Sequence, residues 1–173
     1  MKLRDITPTQ VERVLETGRY IVSTTDTKGR IVSTNDVLVE YSGFTREELI
    51  GAHHNIVRHP DMPRTVFNMA WTSIQSGDDF SGYIKNLCKD GSYYWVFAHI
   101  LPQTNEDGDI TGYRSVRRAP RREGVEVIIP VYAAMLAAEK AAGTKNAIAA
   151  GSEVLRNVLA ARRQSYDQMV AML

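Results

Sequence analysis

Hydrophobic positions along this chain change period at identifiable turn residues, and each change marks a change of element. Tyr20 to Thr25 and Arg30 to Thr34 alternate or run apolar and β-branched on either side of Asp26-Thr27-Lys28-Gly29, which predicts two strands joined by a tight turn. Upstream, Thr7-Pro8-Thr9-Gln10 combines a cap, a proline suited to the first helical position and a glutamine three residues after the cap; it predicts a short helix ending at Gly18. Asn35 or Asp36 caps a short helix carrying Val37, Leu38 and Tyr41, and Thr45-Arg46-Glu47-Glu48 is a capping box leading to Leu49 and Ile50. Val66, Phe67, Ala70, Trp71 and Ile74 then recur at helical spacing, with Pro63 in the first turn and Gly77 as the stop. From Phe80 the period shortens. Phe80 to Cys88, Ser92 to Gln103 and Asp109 to Arg118 read as strands broken by Lys89-Asp90-Gly91 and Asn105-Glu106-Asp107-Gly108, a three-stranded antiparallel meander. Two strands, several short helices and three longer strands give an α+β fold, one five-stranded antiparallel sheet with the short helices on one face.

Beyond Arg121 the chain turns Ala-rich and helical. Val125 to Ala142 predicts a helix bent or delayed at Pro130, and Gly143-Thr144 breaks it before a longer helix reaching the end. Leu155, Leu159, Tyr166, Met169 and Leu173 form one apolar seam on that helix. It either folds back on the sheet or meets a partner. If it is an output surface, removing Gly151 to Leu173 leaves the fold intact.

The 173 residues, 43% hydrophobic and 24% charged, suffice for one ordinary core. With 21 basic against 20 acidic residues there is no broad electrostatic footprint for nucleic acid. One cysteine, Cys88, rules out an internal disulfide and a cysteine-rich zinc site. The sequence has no signal-peptide core and no apolar run of the roughly 20 residues that span a bilayer, so a cytoplasmic protein is expected. Nor is there a dinucleotide-binding glycine fingerprint or a nucleophile with its base, and an enzyme is not expected.

Candidate chemistry concentrates in His53-His54-Asn55-Ile56-Val57-Arg58-His59-Pro60-Asp61. These residues crowd cations and donors around one carboxylate, in a polar connection between two helices that can aim side chains at a bound group. The spacing of His53, His54 and His59 fits no compact metal motif, so no metal is assigned. Asp61 before Met62 and Pro63 is also a helix-capping pattern, and Trp71 lies on an apolar helical face suited to core packing.

The element order and its residues together resemble the PAS sensory fold, and among PAS domains the flavin-binding domain of Aer-type aerotaxis receptors. The resemblance is carried by Tyr41-Ser42-Gly43-Phe44, Glu48-Leu49-Ile50-Gly51, His54-Asn55, Val57-Arg58-His59-Pro60-Asp61-Met62-Pro63, Phe67 with Trp71, Ser81-Gly82, Lys85-Asn86, Tyr94-Trp95-Val96 and Gly112-Tyr113-Arg114-Ser115-Val116-Arg117. It covers about residues 20 to 120, leaving an N-terminal helical cap over 1–19 and C-terminal helices for signalling or dimerisation over 121–173. It implies a noncovalent FAD, redox sensing for aerotaxis or energy taxis, and signalling to a chemotaxis receptor.

By that resemblance, Arg58, His59 and Asp61 hold FAD, with His54 and Asn55 nearby and Trp71 lining the ring pocket. Arg58, a planar and permanently charged fork, suits the pyrophosphate. Asp61 orients Arg58 or His59, or takes a ribose hydroxyl, and Asn86 can bond the flavin's polar edge through its amide. The chain departs from the family where Leu87 and Cys88 replace two arginines and Phe80 replaces a tryptophan. The His54-to-Arg58 region carries no cysteine in the place of the light-sensing PAS relatives' reactive thiol, so no photoadduct is expected. The implied arrangement is a separate PAS subunit beside a membrane receptor of methyl-accepting chemotaxis type encoded as another chain, with a homodimer as a further option. The alternative is a PAS interaction module that binds another ligand or none.

Overall fold

A computed structural model describes residues 6–173. Strands β1 (Ile21–Asp26), β2 (Ile31–Thr34), β3 (Phe80–Leu87), β4 (Tyr93–Thr104) and β5 (Ile110–Arg118) form one antiparallel sheet in the order β2-β1-β5-β4-β3. Between β2 and β3 come α1 (Asp36–Ser42), α2 (Arg46–Leu49), a 3-10 turn (His54–Val57) and α3 (Arg64–Gln75). The local signals act as read. Asn35 caps α1 by accepting the Leu38 amide, Thr45 and Glu48 close a reciprocal capping box on α2, and α3 ends before Gly77.

The N-terminal helix is not formed: the described residues of 6–20 contain none. Thr9 instead donates its amide to Gly91, while Arg13 and Val11 exchange backbone bonds with Tyr93 at 2.7 and 2.9 Å. Long-range pairing with the entrance to β4, anchored by buried Leu15, outweighs a capping pattern that offers few apolar residues to bury.

Because side chains alternate across a strand, Ile84, Asn86 and Ala98 face the short helices while Tyr83, Lys85 and Trp95 face the other way. The helix α4 (Arg122–Arg162) covers that second face. Tyr132 packs on Trp95, with ring centroids 6.4 Å apart, and its hydroxyl donates to the Tyr83 carbonyl at 3.0 Å. The helix starts earlier than its sequence pattern and continues through Pro130. Buried Ile128, Val131 and Tyr132 flank the proline and hold the axis across the missing hydrogen bond. The break falls at Gly143, whose φ of 71° only glycine adopts freely.

On either side of that break α4 meets α3, and the segment before it supplies the cap of α3. Pro63 offers no side chain to the first turn of α3, and Asp61 does not cap it. Buried Glu139 does: Oε2 accepts the Arg64 amide at 2.9 Å, while Oε1 accepts the Thr65 amide at 2.8 Å and its hydroxyl at 2.7 Å.

The last helix does not reach the C-terminus unbroken. It ends at Arg162, and Ser165 with Gln168 opens a new helix, α5 (Tyr166–Met172), through a second capping box. Leu155, Tyr166, Met169 and Val170 are buried, and Tyr166 stacks on Phe80 at 5.8 Å. Of the two readings of the apolar seam, folding back is the observed one.

Candidate functional site

A cavity of about 440 Å³ separates the sheet from α3. Ile84, Asn86, Ala98, Ile100, Tyr113, Ser115 and Arg117 form its floor, and Phe67, Ala70, Trp71 and Ile74 its roof. The 3-10 turn closes one end with His53, His54, Asn55, Val57 and Arg58. Its size and its apolar walls with few polar groups suit a small planar ligand. Trp71 meets Tyr113 edge-on at 5.5 Å, and Gly29, at φ 78°, leaves its indole room: a Cβ there would stand 2.9 Å from the Trp71 ring.

The polar groups of this cavity are unusual for a core. Arg117 is 3% exposed and, among the described residues, forms no ion pair with a carboxylate. Its Nε donates to Ser115 Oγ at 2.9 Å, and its Nη2 donates to Ser23 Oγ and to His54 Nε2, the latter at 2.7 Å. Its Nη1 has no partner among the described residues. Burial pushes this guanidinium down to about 10, which still leaves it charged at neutral pH. Since arginine only donates, His54 Nε2 must accept, fixing a neutral imidazole with its proton on Nδ1. Burial and the Arg117 charge push His54 down to about 3. Across the cavity floor, Asn86 Nδ2 is a second buried donor without a partner among the described residues. Arg58 lies over the Phe67 ring at 4.3 Å and spends one donor on the Met62 carbonyl at 3.1 Å.

Five of the seven residues singled out in the sequence thus meet at one cavity: His54, Asn55, Arg58, Trp71 and Asn86. His59 and Asp61 do not. Pairing of Arg58 with Asn86 at the β3 edge turns the next residues to the opposite side. There His59 is buried against Tyr93 at 5.9 Å and its Nδ1 accepts the Asp61 amide, while Asp61 pairs with Lys85 at 2.7 Å. Neither residue lines the cavity. Arg117, Ser115 and Tyr113 were missed as cavity residues, although a strand reading puts them on one face, and a cation sharing a face with an inward tyrosine is a signal in itself. The departures from the family pattern lie off the cavity. Leu87 and Cys88 are buried elsewhere, with Cys88 Sγ donating to the Tyr41 carbonyl, and Phe80 packs on Tyr166.

A pH dependence follows from His54. Its folded-state value lies below the ordinary 6.5, so between these limits the unfolded chain binds the proton and the folded one does not. Stability is then full above about pH 6.5 and falls as pH drops toward 3, with buried His59, also pushed down, adding in the same direction. His54→Gln should flatten part of this slope, read as the shift in urea midpoint between pH 7 and pH 4.5. An unchanged shift in the variant contradicts the assignment.

Comparison with known proteins agrees with this architecture. Residues 31–117, half of the chain, match the PAS fold family. The aerotaxis receptor of Escherichia coli K12 is 40% identical over 127 residues, 73% of this chain and 25% of the receptor. A nitrogen fixation regulatory protein of Klebsiella pneumoniae is 22% identical over 105 residues, 61% of this chain and 21% of that protein. The chain thus spans a quarter or less of the length of these curated relatives. Among solved structures, the light state of the blue-light photoreceptor Aureochrome1 LOV superposes with a TM-score of 0.58 at 17% identity, over 64% of this chain and 88% of that one. A PAS domain from Colwellia psychrerythraea gives 0.54 at 22% identity, over 58% and 85%. Sheet order, helix placement and the family match lead to one conclusion: the chain belongs to the PAS fold family.

Proposed function

We propose that this PAS domain is a flavin-binding redox sensor, with FAD as its cofactor, that passes its redox state to a chemotaxis-type receptor. The observation that carries the reading is the cavity itself: an aromatic and aliphatic slot whose buried donors Asn86 Nδ2 and Arg117 Nη1 have no partner among the described residues. A buried donor left unpaired costs about 1 to 3 kcal/mol, and a ligand with acceptor atoms on its edge removes that cost. The 40% identity to an aerotaxis receptor and the likeness to a blue-light LOV photoreceptor favour a flavin over other flat ligands.

A flavin would supply reversible electron uptake coupled to a change of ring protonation. Asn86 and Arg117 would hold its polar edge, Trp71 and Phe67 would exclude water, and Arg58 would face its phosphate groups. Two connections lead from these residues to the C-terminal helices. The β3 strand that carries Asn86 accepts the Tyr132 hydroxyl through Tyr83, and α3, which carries Phe67 and Trp71, is capped by Glu139. A change in charge at the cavity would alter the pairing of Arg117, His54 and Asn86 and reposition α4, the surface offered to a receptor. Heat release of the ligand from purified protein, followed by chromatography against FAD and FMN, should identify FAD. Protein that releases no flavin and takes none up from solution contradicts the proposal.

A further inference from the structure

A second cavity, of about 330 Å³, lies between residues 58–64 and α4 around its Gly143 break. Its walls carry Arg58, Arg64 and Lys140 against one carboxylate, Glu139. That carboxylate is fully engaged in capping α3. Among the described residues no Asp or Glu lies within ion-pair distance of Arg58, Arg64 or Lys140, and the neighbouring acid, Asp61, is held by Lys85. Arg58 gives one donor to the Met62 carbonyl, and Arg64 gives one to the Thr144 carbonyl at 3.4 Å. A guanidinium carries five donors, so both forks remain largely free. Three cations around one hollow make a site for an anion, because like charges held together repel until one binds. Arg58 also lines the larger cavity, so the two hollows share a wall.

We propose that this second cavity is a phosphate site, and that Lys140, on a helix beyond the family match, completes it for the diphosphate of the nucleotide whose ring occupies the first cavity. The inference rests on the flavin reading above. An ammonium on a flexible stem follows a phosphate as a point charge, while Arg58 and Arg64 offer planar forks. The helix that covers the sheet would thereby touch the ligand directly.

The test compares FAD with riboflavin, which has the ring but no phosphate, titrated into flavin-stripped parent, Lys140→Ala and Arg64→Ala proteins. FAD affinity should fall about fivefold to tenfold in Lys140→Ala, with a comparable loss in Arg64→Ala. Riboflavin affinity should not change, and added salt should weaken FAD alone. Equal losses for both ligands, or no loss for either, overturn the proposal. Inorganic diphosphate, followed by amide NMR shifts, separates the site from the flavin reading. Shifts over 58–64 and 136–147 that vanish in Lys140→Ala, in protein that takes up no flavin, keep the phosphate site and sink the cofactor assignment. No shifts and no flavin sink both.

Discussion

Replacing Arg117 by Met should weaken FAD binding roughly tenfold or more while leaving the ligand-free protein at least as stable as the parent. The two halves of this result have one cause. A cation that is 3% exposed and paired with no carboxylate among the described residues has given up its hydration for two serines and a neutral histidine, and one of its nitrogens stays without a partner there. Methionine fills similar space without that desolvation cost. The groups left behind can satisfy each other, because Ser23 Oγ and His54 Nε2 already stand 3.0 Å apart. If Arg117 is present for structural reasons, the variant will unfold more easily and bind flavin as before. If it is present for a ligand, thermal unfolding of the stripped protein will hold or rise while affinity falls. The His54 value should also move up toward 6.5, since one of its two depressing influences is the Arg117 charge.

Removing Gly151 to Leu173 should destabilise the protein severely. The segment contributes Leu155, Tyr166, Met169 and Val170 to the core, and its Gly151 lies so close to Thr65 and Glu139 that a Cβ there would collide with both. Burial of each such side chain is worth about 1.5 to 3 kcal/mol, and four of them total about 4 to 11 kcal/mol after discounting for residual compactness of the unfolded chain. Against a typical total of about 5 to 15 kcal/mol, that is enough to unfold a marginal domain. Urea denaturation of full-length and shortened protein measures it directly. An unchanged midpoint would restore the view of this helix as a detachable output surface.

The strands were legible because alternation and turn residues agree locally: Asp26 to Gly29, Lys89 to Gly91 and Asn105 to Gly108 each sit where the chain reverses. What was not legible depends on distant partners. The Thr7-to-Gln10 cap pattern is sound in itself, but the backbone of residues 9–13 is claimed by Gly91 and Tyr93. The cap of α3 comes from Glu139, which no window around Pro63 contains. In the site, the continuous string from Val57 to Pro63 reads as one unit, yet pairing at the β3 edge sends Arg58 toward the cavity and His59 with Asp61 away from it. Arg117 was hidden in the opposite manner, as one of several arginines in a strand whose inward parity alone distinguishes it from Arg118.

The central claim is that this cavity holds a redox-active flavin. Its most direct test is an anaerobic reductive titration of freshly purified protein followed by absorbance. A flavin spectrum that bleaches stepwise with added reductant and returns on exposure to air is the expected result. Protein that shows no visible absorbance, as isolated or after incubation with FAD, would contradict the account, as would a bound flavin whose spectrum does not respond to reductant.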